Sequence, residues 1–266
     1  MSLRIGCGSW GDDAYVGVLY PPKTPKARRL AAYAARFDHV EVNSSYYATP
    51  RAATTAQWVE QTPAGFLFDI KLHRAFSQNP ERAVREGKLL AYLREGVRPL
   101  VEGGRMGVFL LVLDPRFGPA RHRLEELAPL AEALRPRPLA VELRDRAWVA
   151  GRAKAATLDA FRRLDLAWVA TDMPRVADPA ILSPIDAVTL PGLAYLRLHG
   201  RNPHYAQATS AAARHAYLYP PPEIARLATR IRKLEALARE VRVVANNHAS
   251  DFAPLTALAL RERLAR

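Results

Sequence analysis

The chain has 266 residues, 49% hydrophobic and 24% charged, with 39 Lys and Arg against 26 Asp and Glu and a formal net charge of +13. This composition is typical of a globular protein and excludes a long disordered tail. No apolar run approaches the ~18 residues that span a bilayer, and the N-terminal residues lack the layout of a signal peptide. We therefore expect a cytoplasmic protein with no membrane partner. Since the length is near the ~250 residues of an eight-fold barrel, we also expect one domain over residues 1–266.

The positive charge indicates only weak, non-specific binding to nucleic acid. Six of the 39 cationic residues are Lys and the rest are Arg. The Arg residues are scattered along helical segments rather than gathered in the one-sided stripe that a nucleic-acid reader needs. A scattered excess chiefly affects solubility and non-specific association.

Short apolar or β-branched runs alternate with helical patterns along the chain, which is typical of a parallel sheet. Eight such runs predict a closed (β/α)₈ barrel of the TIM type. In chain order the predicted strands are Arg4–Gly8, His39–Asn43, Phe66–Lys71, Gly107–Leu113, Leu139–Arg144, Ala167–Asp172, Ala194–His199 and Val241–Asn246. The predicted helices after the first are Ala53–Gln61, Glu81–Val101, Arg121–Leu134, Lys154–Leu164, Pro222–Arg239 and Phe252–Leu264.

The first helix has the clearest signals. Thr24 is placed to cap it, Pro25 suits its first turn, and Leu30, Tyr33 and Phe37 follow with helical spacing. The sixth crossover is the exception, because four prolines fall between residues 172 and 193. Prolines at that density exclude an uninterrupted helix, so the sequence predicts an irregular loop there.

Polar residues concentrate at the ends of the predicted strands. Residues two apart share a face of a strand, and the inward set at the carboxyl end of a barrel strand meets substrate. By this parity the shared faces are Glu41 with Asn43, Asp69 with Lys71, Glu142 with Arg144, and Arg197 with His199 and Arg201; Asp172 and Asn246 end their own strands. Because burying so many charges is costly unless they pair or meet a ligand, we expect one charged pocket.

These residues lie in segments that resemble the YecE-like family, also called domain of unknown function 72. The segments are IGCGSW, LAAYAARFDHVEVNSSYYATP, QWVEQTPAGFLFDIK, AVELRDRAW, AYLRLHGRN, AYLY and ANNH, in order from Ile5 to His248. The resemblance covers almost the whole chain and implies a barrel with a shared pocket, but no settled reaction. The family positions that carry over are Glu41, Asn43, Lys71, Glu142, Arg144, Asp172, Arg197, His199, Asn246 and Asn247. At strand four this chain has Val112-Leu113-Asp114-Pro115 where the family usually has Gln-Leu-Pro-Pro, so we expect that strand to contribute only wall.

We assign provisional roles by chemistry. The proposed catalytic acid and base groups are Glu41, Glu142, Asp172 and His199, and the proposed substrate contacts are Asn43, Lys71, Arg144, Arg197, Asn246 and Asn247. The same acidic groups with His199 could hold a divalent ion, but Lys71, Arg144 and Arg197 would repel it, so a tightly bound metal is not favoured. No nucleotide-cofactor motif is present, which leaves the cofactor unknown. Five aromatic residues, Trp10, Tyr15, Tyr20, Tyr46 and Tyr47, are candidates for a stacking wall or for core packing.

Two functions remain open. The first is an enzyme acting on a small polar anion, phosphorylated or carboxylated, held by Lys71, Arg144 and Arg197. The second is a nucleic-acid-binding or phosphodiester-cleaving barrel, or an inactive binding protein, that uses the excess Arg. In both, each ion pair has a purely structural reading, in which the carboxylates serve only to fix the strands.

Overall fold

A computed structural model describes residues 2–247 and 249–265. Eight parallel strands form a nearly closed barrel in the order β1-β8-β7-β6-β5-β4-β3-β2, which confirms the predicted (β/α)₈ architecture. The strands are β1 Ser2–Cys7, β2 His39–Val42, β3 Leu67–Lys71, β4 Met106–Val112, β5 Leu139–Glu142, β6 Leu166–Asp172, β7 Leu193–Leu198 and β8 Glu240–Ala245. The helices are α1 Arg29–Ala34, α2 Ala52–Glu60, α3 Arg74–Gln78, α4 Pro80–Glu86, α5 Lys88–Glu102, α6 Ala128–Leu134, α7 Ala153–Arg163, α8 Ala211–Arg214, α9 Pro221–Glu235 and α10 Phe252–Ala265.

Side chains bridge β1 and β2, the two ends of the sheet order. The Tyr33 hydroxyl accepts a hydrogen bond from the Cys7 backbone N–H at 2.7 Å and donates to the His39 carbonyl at 3.1 Å. At the carboxyl end, Asn43 Nδ2 donates to the Gly8 carbonyl at 3.1 Å. The first helix and the residue after β2 therefore help to close the barrel, and Cys7 is fully buried at this seam.

Alternation along the strands separates two apolar layers. The larger core lies between sheet and helices and contains Val40, Phe68 and Leu196 among many others. The smaller cluster comes from the opposite strand face, as in Leu110 and Val169. The inward positions of β4 are thus apolar, in agreement with the prediction that this strand contributes wall. The charged residues of the other strands, apart from Asp172 on β6, occupy the same inward parity.

Several predicted helix boundaries were wrong. Thr24 does not cap the first helix, because its hydroxyl donates to the Pro21 carbonyl and a short 3₁₀ turn, Lys26–Arg28, precedes α1. The predicted helix Glu81–Val101 is two helices, α4 and α5, interrupted at Gly87, whose φ is 71°. The predicted helix Arg121–Leu134 forms only its last turns, after a 3₁₀ segment Leu124–Leu127.

The sixth crossover has no helix in residues 173–192, as its prolines predicted. The loop instead covers β6 through hydrogen bonds. Thr189 Oγ1 donates to the Leu166 carbonyl at 2.7 Å and accepts from the Trp168 N–H at 2.9 Å, while Trp168 Nε1 donates to the Ile185 carbonyl. This loop replaces the helix that would otherwise cover the sheet.

Candidate functional site

A buried ion network fills the carboxyl end of the barrel between β2, β5 and β7. Arg197 is 1% exposed and donates hydrogen bonds to the carboxylates of Glu41 and Glu142. Its Nε donates to Glu41 Oε2 at 2.9 Å, its Nη2 to Glu41 Oε1 at 2.6 Å, and its Nη1 to Glu142 Oε2 at 2.5 Å. The Tyr195 hydroxyl adds a bond to Glu41 Oε2 at 3.0 Å. Parity along β7 places Tyr195 on the same face as Arg197, although Tyr195 was not among the candidate residues.

His199 joins the network through both ring nitrogens. Its Nε2 lies 3.2 Å from Glu142 Oε2, and its Nδ1 lies 3.1 Å from Asn246 Nδ2. An amide nitrogen can only donate, so Nδ1 accepts and Nε2 carries the hydrogen donated to Glu142. Burial outweighs the neighbouring carboxylate and lowers the pKa of His199, which favours the neutral ring. A neutral imidazole with both nitrogens bonded to protein is suited to positioning rather than to proton donation.

Two asparagines extend this chain to β1. Asn43 Nδ2 donates to Asn246 Oδ1 at 2.9 Å, which leaves Asn246 Nδ2 to donate to His199. Gly8 is required where this pair meets β1: a Cβ there would lie 2.3 Å from Asn43 Nδ2 and 2.7 Å from Asn246 Oδ1. Each hydrogen bond of this chain is therefore donated toward Glu142: from Asn43 to Asn246, from Asn246 to His199, and from His199 to Glu142.

The carboxylate of Glu142 is ionised. Burial favours the protonated form of Glu142, but Arg197, His199 and Arg144 outweigh it and hold the pKa of Glu142 well below its usual range. Arg144 Nη1 donates to Glu142 Oε1 at 3.1 Å and its Nη2 to the Tyr205 hydroxyl at 2.9 Å. Tyr205 comes from the loop after β7, and no sequence pattern indicated it.

The side-chain Nζ of Lys71, at the same carboxyl end of the barrel, has no hydrogen-bond partner among the described residues. It lies partly exposed at the end of β3, with its Nζ 4.6 Å from the centroid of the Tyr46 ring. Burial, and then the nearby charge of Arg197, lower the pKa of Lys71 to about 8. The amine is thus available to a ligand and partly neutral slightly above neutral pH.

Arg197, unlike the Lys71 side chain, donates hydrogen bonds to protein acceptors. Three of its N–H groups donate to carboxylates, and a fourth, on Nη2, points toward Asn43 Oδ1 at 3.5 Å. The fifth, on Nη1, lies near His199 Nε2, which carries a hydrogen and cannot accept it. Because Arg197 is 1% exposed, a direct contact with an anion would need the network to open. The predicted anion contact of Arg197 is therefore not supported by its geometry.

Asp172, Arg201 and Asn247 lie outside this network. Asp172 accepts from Arg201 Nε and Nη2 at 2.8 and 2.7 Å and from the Tyr219 hydroxyl at 2.8 Å. Asn247 is fully buried and donates to Thr256 Oγ1 and to the Tyr217 carbonyl. The expectation that Asp172 shares one pocket with the other charged residues was wrong in this respect. Its parity matches Trp168 and Ala170, which pack in the core between sheet and helices.

Asp69 forms a separate pair deeper in the barrel. Its carboxylate accepts from Arg242 on β8 and from the Val108 N–H at 3.0 Å. Asp69 is fully buried, so this pair serves the packing of β3, β4 and β8 rather than the carboxyl end. Among residues 2–247 and 249–265, no three His, Cys, Asp or Glu side chains are grouped to hold a metal ion.

The candidate aromatic residues divide into two groups. Tyr15 and Tyr20 are buried in the core, at 1% and 2% exposure, so they form no stacking wall. Trp10 and Tyr47 line a cleft of about 390 Å³ at the carboxyl ends of β1 and β2, together with Asn43.

His248, which ends the last family segment, lies outside the described residues. No described helix is long and apolar enough to cross a membrane.

Comparison with known proteins agrees with the fold and with the family expected from the motifs. Solved structures of DUF72 proteins are similar over nearly the whole chain. One from Thermotoga maritima has 26% identity and a TM-score of 0.86, with 100% of both chains covered. One from Enterococcus faecalis has 25% identity and a TM-score of 0.84, with 99% of this chain and 96% of that chain covered. The UPF0759 protein YunF of Bacillus subtilis is 23% identical over 259 residues, which are 94% of this chain and 90% of YunF. The family model described as "Protein of unknown function DUF72" matches residues 4–266, and the chain therefore belongs to the DUF72 family.

Proposed function

We propose that the protein is an enzyme that acts on a small polar anion, phosphorylated or carboxylated, at the carboxyl end of its barrel. The site uses Lys71 and Arg144 as the anion contacts. Glu142 holds Arg144 in place, and Arg197 and His199 in turn hold Glu142, with Glu41 as the second carboxylate of Arg197. Catalytic sites of TIM barrels lie at this end, which supports the location by analogy of fold.

The observation that carries the proposal is a charge imbalance. Two carboxylates, Glu41 and Glu142, face three cations, Arg197, Arg144 and protonated Lys71. An anion would neutralise the excess, and it would meet a lysine whose ammonium group has no acceptor within residues 2–247 and 249–265.

Neither of the other two networks of the barrel has a cation in excess. Deeper in the barrel, the carboxylates of Asp38, Asp69 and Glu240 pair with two arginines, Arg4 and Arg242. Beyond β6, the carboxylates of Asp172, Asp186 and Glu223 pair with three arginines, Arg201, Arg226 and Arg230. Only the network with Lys71 thus has a cation in excess among these three.

Lys71 also supplies an acid–base group. A side chain with a pKa of about 8 can both give and take a proton near neutral pH, which suits general acid–base chemistry. Glu142 is ionised and saturated with donors, so its support for Lys71 and Arg144 is electrostatic.

Binding of inorganic phosphate tests the proposal. Phosphate at millimolar concentration should raise the melting temperature of the wild type, since a ligand that binds only the folded state stabilises it. Lys71→Met should remove this response, while Lys154→Met, at an exposed position on α7, should keep it. An unchanged response in Lys71→Met, or none in the wild type, would contradict the proposed anion site.

A further inference from the structure

The cleft beside the network has the dimensions of a small-molecule site. Its volume of about 390 Å³ falls within the ~300–1,000 Å³ of typical ligand pockets. Gly8, Gly11 and Ser44 line it with little side-chain bulk, and Trp10 and Tyr47 supply aromatic surface. Such a cleft has room for a flat ring between small residues and aromatic walls.

The two aromatic walls are held differently. Trp10 packs edge-on against Trp58 and Phe68, at centroid distances of 5.1 and 6.1 Å, and its carbonyl accepts from the Tyr20 hydroxyl at 2.8 Å. Tyr47 is 71% exposed, the largest exposure among the large hydrophobic side chains of the described residues. A tyrosine that packs against little protein is available to stack on a ligand.

The cleft adjoins the proposed anion site on two sides. Tyr46 contacts Tyr47 edge-on at 5.2 Å between centroids, and on its own face it contacts Lys71 at 4.6 Å. Asn43 lines the cleft and lies 3.5 Å from Arg197 in the network. The cleft and the network end with Lys71 therefore adjoin through two shared neighbours, Tyr46 and Asn43.

Charge sets the direction in which such a ligand lies. Asp12 lines the cleft, and its carboxylate disfavours an anion there. Lys71 and Arg144 favour an anion on the network side. The ring of the ligand is thus expected in the cleft, with the anionic group toward Lys71.

We infer that the protein binds a phosphate monoester that carries a planar ring, with the ring stacked on Tyr47 in the cleft and the phosphate beside Lys71. Nucleoside monophosphates are one class with this chemistry. The inference rests on the proposed anion site and adds the class of its ligand. Stacking on one aromatic side chain typically strengthens binding by about fivefold or more.

Calorimetric titration with matched probes tests this inference. Adenosine 5′-monophosphate and phenyl phosphate carry a ring, and ethyl phosphate does not. The wild type should bind the ring-bearing probes about tenfold more tightly than ethyl phosphate. Tyr47→Ala should remove that advantage and leave ethyl phosphate binding unchanged, and Tyr47→Phe should retain it. Tyr92→Ala, at a 46% exposed tyrosine on α5, is the matched control and should bind as the wild type does.

Each contrary outcome identifies which statement fails. Equal binding of all three probes, dependent on Lys71, would overturn the ring site and leave the proposed anion site standing. A ring advantage that survives in Tyr47→Ala would also overturn it. No binding of any probe would overturn both proposals.

Discussion

Removal of Arg197 should destabilise the fold strongly. The guanidinium is 1% exposed and holds two carboxylates that are themselves fully buried. In Arg197→Met, Glu41 and Glu142 lose their principal counter-charge at sites that water reaches poorly. Removing one partner of a buried pair costs about 3–5 kcal/mol. For a chain of this length that corresponds to a fall in melting temperature of roughly 10 °C.

Urea denaturation of the wild type and variants measures the effect. The matched control is Arg82→Met, which breaks an exposed pair with Glu86 on α4 and should leave the stability nearly unchanged. Adding Glu41→Gln to Arg197→Met removes one unpaired carboxylate and should recover part of the loss. If Arg197→Met unfolds at the same urea concentration as Arg82→Met, the network does not carry the stability assigned to it.

Three further predictions concern the same end of the barrel and the surface charge. Gly8→Ala should displace Asn43 and Asn246, so the protein should lose about 1–3 kcal/mol of stability by urea denaturation, and a fully stable variant would contradict the close approach. Because Lys71 loses its proton as pH rises through about 8, sulfate, which does not titrate in this range, should bind more weakly at pH 9 than at pH 7 by calorimetry; pH-independent binding would exclude Lys71 as its contact. Binding to DNA or RNA should be weak, independent of sequence and lost by about 200 mM salt in a fluorescence anisotropy titration, whereas a strong preference for one sequence at that salt would show that the positive charge is organised for recognition.

The strands and their inward faces could be predicted from the sequence because two simple regularities governed them. Parallel barrel strands are buried on both faces, so they read as short apolar runs, and the side-chain period of two then assigns each residue to a face. Glu41 with Asn43, Glu142 with Arg144, and Arg197 with His199 meet in one network as this parity predicted. The helix boundaries were less accurate, since the glycine at 87 and the caps were not weighed against the apolar repeat.

The side-chain period of two gave wrong placements for two residues. Arg201 lies beyond the end of its strand, and the period was not counted for Asp172. Arg201 shares the numbering parity of Arg197, but β7 ends at Leu198 and the chain turns at Gly200, where φ is 87°. Arg201 therefore turns to Asp172 instead of the barrel interior. Asp172 was assigned to the pocket because it ends a strand, although counting back to Trp168 would have placed it on the outer face. Tyr205 lies in a loop, where no period exists to find it.

The distinction between Lys71 and Arg197 lay beyond the sequence for a different reason. Both are cations at inward-facing positions near the carboxyl ends of barrel strands. Composition, spacing and parity therefore do not distinguish them. They differ in the number of acceptors within reach, which depends on how β2, β3, β5 and β7 pack. Arg197 has three N–H groups bonded to carboxylates, and the Lys71 ammonium group has no bonded acceptor among the described residues. Substitution of Arg197 should therefore change stability first, whereas substitution of Lys71, whose charge burial already disfavours, should change anion binding with little loss of stability.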